Sequence, residues 1–539
     1  MGSGVVGCDQ RIAWLLTTAR ILGPDPTLAR RDGFIKALAE RGVHVDGSRV
    51  SRWESGLHPL PMRVASTYES VLGATEGSLV AVIAGLRRAF GTGPAPKDSA
   101  LRESDLSDGD VDRLMALTES GRAHGGHWLR LAGQLNRYDR VYLRKRDWQD
   151  LCAQLVNELA ASVGVGYVRR YEAAASLIRH HQAQRHLTRA LGSFVTHPDT
   201  QVVSPVLNLL AEVPDEAAGD LVLRMLGSEQ RDLRRAASSV AAVKVARGHF
   251  GAEAFKHLES SVVGSLRRGE SLDGRLDSFD LAVQLPEDSW ERIQPALRTR
   301  RAYDLVTRSR EGGELVPWGQ ASAVVNEIAS KVQAETPSHH PSEPDLMLHR
   351  LLRESLLHAH KARRHHAALF LAASPYAPAV SRHCLRLAAH ENDLLAARAW
   401  TVLMRVGHAG GRDQVVRRAM GEARSSIRAR ALVNVGLLQA PLRHHEAEAL
   451  WAMVEDTTKP IERHATMFAL GMAGAPQLGS LAEAETDWPG RGARWWLEQG
   501  PARHDEDAGA TFVPISPSPP GDNLTPPLEV GSGDPSSSR

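Results

Sequence analysis

One short pattern returns along the C-terminal half of the chain at nearly constant spacing. Leu395-Ala396-Ala397-Arg398-Ala399 has counterparts in Ile427-Arg428-Ala429-Arg430-Ala431 and Ile461-Glu462-Arg463-His464-Ala465. The closing alanines, Ala399, Ala431 and Ala465, lie 32 and then 34 residues apart. Each run continues into an apolar half-turn and a small-residue stop: Val406-Gly407, Leu438-Gln439-Ala440 and Ala473-Gly474. Leu233-Arg234-Arg235-Ala236-Ala237 reads as an earlier copy, and Val203 to Val213 as the one before it. A unit this short cannot close a core alone, so it buries its apolar face only against the next copy. Stacking is the consequence.

From Val111 onward helical periods recur, strand-like alternation is nearly absent, and Gly/Pro/Asp breaks interrupt the pattern. A chain of 539 residues also exceeds what one compact core accommodates. The units resemble HEAT-like helical hairpins, in which a small alanine lets the neighbouring hairpin approach and an adjacent arginine reaches the polar ridge. TPR units are the rival: their period is near 34 residues, but their Trp/Gly/Tyr/Pro pattern is missing here. The expected fold class is all-α, a small five-helix N-terminal domain followed by an α-solenoid of helical hairpins. The expected boundaries are 1–91 for the small domain, 92–110 for a linker, and 111–334 for the first half of the repeats. A proline-rich linker at 335–345, a second half at 346–499 and a disordered tail at 500–539 complete the chain.

The small domain reads as helices at 9–22, 32–41, 47–55, about 62–72 and 78–90. Its third helix carries the informative stretch. Asp46 is an N-cap, Val50 and Trp53 share a face, and Gly56 stands where a helix end takes a left-handed residue. Ser48, Arg49, Ser51 and Arg52 fall on the other side, which makes the helix apolar behind and basic-polar in front. With the proline turn at Pro59 and Pro61 and the segment Tyr68-Glu69-Ser70-Val71-Leu72-Gly73, the run Ser51-Arg52-Trp53-Glu54-Ser55-Gly56 resembles the lambda-repressor-like (XRE) helix-turn-helix family, of actinobacterial type. That resemblance spans roughly residues 9–90. It implies a recognition helix starting near Asp46, with Gly47, Ser48 and Arg49 at base edges and Arg52 a turn further into the major groove. Ser51 and Ser55, with His58 and Arg63 in the following loop, are placed for phosphate. Val50, Trp53, Phe34, Leu38 and Leu72 are the expected core, and Glu54 either orients Arg52 or pairs within the domain.

Charge and motifs narrow the chemistry. A formal net charge of +2 argues against a protein that coats nucleic acid uniformly and fits one local basic face. The three cysteines are far apart and odd in number, which gives no disulfide framework and favours a reducing, cytoplasmic setting. Neither a signal peptide nor an apolar run of spanning length is visible. Walker, dinucleotide, nucleophile-elbow and zinc-protease signatures are absent, so no enzyme, metal or cofactor is expected. The run His358, His360, His365 and His366, beside Lys361, Arg363 and Arg364, reads as a basic solvated helix rather than a metal site. Arg137 to Arg146, with Tyr138 and Tyr142 one turn apart, reads as a solvated charge run, a second phosphate-contacting surface or a partner surface. Arg169-Arg170 between Tyr167 and Tyr171 reads the same way. The expected function is a sequence-specific transcriptional regulator that binds double-stranded DNA, as a homodimer on palindromic sites, and uses its repeats to sense or bind a partner protein or peptide. Development or secondary metabolism is the setting that the actinobacterial resemblance suggests. The alternative is a repeat scaffold whose helix-turn-helix no longer binds DNA.

Overall fold

A computed structural model describes residues 7–91, 108–267, 278, 280–296, 300–313, 315–336, 343–456, 459–484 and 487–505. The fold is all-α: among the described residues there is no strand, and Ser162 and Arg503 form an isolated parallel bridge. The first helices are α1 (Cys8–Ile21), α2 (Pro26–Ala29), α3 (Arg31–Ala39), α4 (Gly47–Glu54), α5 (Met62–Val71) and α6 (Ser78–Phe90). Helix α2 is an addition to the expected five. Asp25 caps it by accepting from the Thr27 amide at 2.8 Å, and Pro26 opens it, so the stretch between the expected first and second helices holds a helical turn of its own.

Phe34, Leu38, Val50, Trp53 and Tyr68 form the core of this unit, with Phe34 and Tyr68 edge to face at 4.7 Å between ring centroids. Leu72 is a correction. It is half-buried at the end of α5, and Tyr68, one turn earlier on the same helix, fills the centre.

Next come α7 (Asp108–Glu119), α8 (Gly125–Leu135), α9 (Lys145–Ala161), α10 (Gly164–Leu177) and α11 (His181–Val195). Further on, the recurrent runs occupy one helix of each successive hairpin: Asp393–Val406, Ser425–Gly436 and Pro460–Ala473. Ala399 and Ala431 are fully buried and Ala465 nearly so, as close helix approach requires. Polar contacts repeat with the same step. Arg428 pairs with Glu462 at 3.1 Å, Arg424 with Asp393 at 3.0 Å, and the Asn434 amide donates to the Trp400 carbonyl at 3.2 Å. At Gly436 and Gly471 a side chain would strike the Phe468 and Trp496 rings, so glycine sets the hairpin spacing there.

The array does not run on as an open rod. Its last helix, Trp488–Gln499, returns to the first repeats: Trp495 packs on Phe194 at 6.0 Å, and Arg491 pairs with Asp199 at 2.9 Å. Residues 500–505, expected to belong to the disordered tail, are seated between the two ends, with Asp505 buried. The remainder of that tail, 506–539, lies outside the described residues, as do 92–107 of the first linker and 337–342 of the second. At that second linker the halves adjoin: the Gln333 side chain bonds residues 343 and 345, and Glu335 pairs with Arg382 at 3.0 Å.

Candidate nucleic-acid interface

Helix α4 is built as its sequence requires. The Asp46 carboxylate accepts from the Arg49 amide at 2.7 Å and from the Ser48 hydroxyl at 2.8 Å, and these bonds lower its pKa. Val50 and Trp53 are buried behind it. Gly56 follows at φ +71°, where a Cβ would come within 3.1 Å of the Asp9 carbonyl and Gln10 backbone. Both the left-handed backbone and the closeness of α1 demand glycine there.

Glu54 pairs within the domain, the second of the two roles open to it. Both its oxygens accept from Arg20, each at 2.7 Å, and Thr17 donates to its carbonyl at 3.2 Å. Arg20 also donates to the carbonyls of Leu28 and Ala29, so one buried guanidinium ties α1, α2 and α4 together.

The expected contact residues separate into two groups. Ser48, Arg49, Ser55, His58 and Arg63 are exposed, and Ser51 and Arg52 are half-buried. Arg52 folds back along its own helix, donating to the Ser48 hydroxyl at 2.8 Å and the Ser48 carbonyl at 3.2 Å. Arg49 lies with its guanidinium 5.6 Å from the Trp53 ring centroid. Gly47 stands apart, because a side chain there would point at Arg31 and Ile35 of α3. Ser55 closes the helix by donating to the Arg52 carbonyl at 3.3 Å. Sequence reasoning missed Leu57, which is 75 % exposed beside this face; its signal was one apolar residue inside a polar loop.

The unit is seated on the repeats by other elements. Arg11 of α1 makes a buried bidentate pair with Glu354, both bonds 2.7 Å. Trp14 donates to Asp345 and stacks on Tyr376 at 6.2 Å. From α6, Arg88 pairs with Glu172 and, at 2.9 Å, with Glu212, while Phe90 meets the His366 ring edge-on at 5.3 Å. Burial opposes ionisation of Glu212, but Arg88 and Arg247 overcome it and hold the carboxyl at about 2. Helix α4 takes no part in these contacts.

The remaining candidates change character. The histidine run is not a solvated face: His366 is buried and His358, His360 and His365 are half-buried, and only His365 and His366 lie on the helix Lys361–Ala372. Burial pushes His366 down to about 3 and His358 to about 2, with nearby cations adding to it. Among the described residues no group of His, Cys, Asp and Glu could hold a metal. Arg169 and Arg170 are buried too, paired with Asp505 and, for Arg170, with Glu158 at 2.9 Å. The stretch Arg137 to Arg144 has no helical turn between its tyrosines: it is a non-helical connection to α9, with Tyr142 91 % exposed and Arg144 paired to Asp147 at 3.0 Å. Burial raises the Cys152 and Cys384 thiols to about 12, which leaves no thiolate for nucleophilic chemistry there. No helix among the described residues is long and apolar enough to cross a membrane.

No family model and no curated protein matches the chain. Among solved structures, a chain from "Structural Basis of Tubulin Recruitment and Assembly by Microtubule Polymerases with Tumor Overexpressed Gene (TOG) Domain Arrays" matches at 13 % identity and a TM-score of 0.24. The match covers 74 % of this chain and 94 % of that one. A likeness at that score carries no argument about fold or partners.

Proposed function

We propose that the chain is a sequence-specific, DNA-binding transcriptional regulator of the lambda-repressor-like kind whose helical repeats carry a protein- or peptide-binding surface. The observation that carries the reading is the outer face of α4. Ser48, Arg49 and Arg52 sit on a capped helix fixed from behind by Val50, Trp53 and the Arg20–Glu54 pair, outside the contacts that dock the unit. A positioned arginine grips guanine in bidentate fashion, and each such pair is worth about 1–3 kcal/mol of discrimination. One unit covers little DNA, so two copies on a palindrome are the expected arrangement. On the repeats, a groove of about 720 Å³ between the helices Arg412–Gly421 and His444–Asp456, lined by Asp413, Arg417, Met420, Arg443 and Glu446, suits a peptide of mixed charge.

Selection of bound duplexes from a random pool tests the reading, with the purified protein beside its Arg49→Ala/Arg52→Ala variant. Enrichment of one motif by the first and none by the second supports it; no enrichment by either opposes it. The scaffold reading has one observation in its favour, the firm docking of the N-terminal unit through the Arg11–Glu354 and Arg88–Glu212 pairs. It predicts that the double variant keeps every partner and loses nothing.

A further inference from the structure

Residues 500–505 enter a groove between the two ends of the repeat array and are held there as a peptide would be. The Arg503 amide donates to the Ala161 carbonyl at 2.8 Å, the Val163 amide donates to the Arg503 carbonyl at 3.3 Å, and the Ala502 amide donates to the Met472 carbonyl at 2.8 Å. Backbone bonds to both walls are the pattern of an extended segment bound in a slot.

The slot ends in a carboxylate pocket. Asp505 Oδ2 accepts from the Gly125 amide at 2.6 Å, at the first turn of α8, from Arg169 at 3.1 Å and from Arg170 at 3.0 Å. Its Oδ1 accepts from Arg170 at 2.9 Å. Gly166 clears the space, since a Cβ there would lie 2.9 Å from the carboxylate. Behind it, Arg170 is fixed by Glu158 and by the Ala123 carbonyl at 3.0 Å. A helix N-terminus, two buried guanidinium groups and a missing side chain together make a site for one anion.

Arg169 has a second task. Its other amino group donates to the Glu76 carbonyl at 2.8 Å, in the turn that leads into α6, where Gly77 at φ +78° lies against Arg169 and Leu129. One guanidinium therefore spans the C-terminal segment and the N-terminal unit. We propose that residues 500–505 are a ligand bound in cis in a groove built for an extended peptide bearing a carboxylate, and that occupancy of this groove sets how firmly the N-terminal unit is held on the repeats. Emptying the groove leaves Arg170 with Glu158 alone and buried Arg169 without its carboxylate, and Arg169 then relaxes away from the Glu76 turn.

The test uses the full chain with a protease site inserted between Gln499 and Gly500, cut after folding, and the released tail removed. Hydrogen exchange at amides 77–90 should rise about tenfold or more, while amides 427–436 stay protected. A labelled peptide of residues 500–508 should rebind and restore protection, and its Asp505→Asn form should bind at least about tenfold more weakly. Unchanged exchange at 77–90, or equal binding of the two peptides, overturns the proposal. Full-length Asp505→Asn guards against collapse of the cut protein: local loss at 77–90 supports the proposal, and equal loss at 427–436 overturns it by making the segment ordinary core. A dimer that dissociates on cutting assigns the segment to a neighbouring copy and overturns the cis arrangement.

Discussion

Arg49 and Arg52 can be removed without disturbing the helix that carries them, because Val50, Trp53, the Asp46 cap and the Arg20–Glu54 pair hold it. The Arg49→Ala/Arg52→Ala variant should melt with the wild type in a thermal scan and lose specific DNA affinity. Trp53→Ala should do the reverse of a clean contact variant. It empties a core site at a cost of about 3–5 kcal/mol, seen in denaturant unfolding, and loses binding through the fold. The core face of α4 was legible because Val50 and Trp53 recur at helical spacing against a polar front. Arg20 as partner of Glu54 was not legible, since 34 residues of chain separate them and no local period links the two. Nor was Tyr68 as the central ring: a phenol beside Glu69 gives no sign of which way it faces. Arg169 and Arg170 misled for a related reason. A charge run is usually solvated, and the carboxylate that buries this one arrives from residue 505.

Helices α1 and α6 are where the N-terminal unit becomes part of the larger body. Glu354→Ala leaves Arg11 buried and uncompensated, so it should destabilise docking by about 3–5 kcal/mol, read as raised proteolysis of residues 8–21 and an earlier unfolding step. Acid should act at the second contact. His366 is held neutral in the fold, at about 3, against an ordinary value near 6.5. Between those values the unfolded chain binds the proton and the folded chain does not, so stability falls as pH drops from about 6.5 toward 3. At pH 4 this amounts to about 3 kcal/mol. His366→Phe should retain the packing on Phe90 and lessen the fall in melting temperature from pH 7 to pH 4, with His358 supplying part of what remains; an unchanged slope places the acid lability elsewhere. The expected solvated helix failed here for a physical reason. Four histidines and three cations look polar by composition, yet a neutral imidazole packs as an aromatic, as His366 does against Phe90.

Across the whole molecule, the repeat was legible because stacking imposes its period on the sequence, and the ion pairs between neighbouring hairpins carry the same step. Closure was not legible. Nothing in the local pattern of Trp488–Gln499 announces that Trp495 will meet Phe194, or that Asp505 will find Arg170. Closure predicts that Trp495→Ala exposes α9 and α11 as well as the last hairpin, since all three share that contact; hydrogen exchange confined to residues 477–499 would contradict it. The claim that matters most is that this closed body presents α4 to DNA. Genome-wide DNA capture with the intact protein, beside Arg49→Ala/Arg52→Ala, tests it most directly. Sharp peaks that share a motif and vanish in the variant are the predicted result. An intact protein without enriched sites, or peaks that survive in the variant, would contradict it.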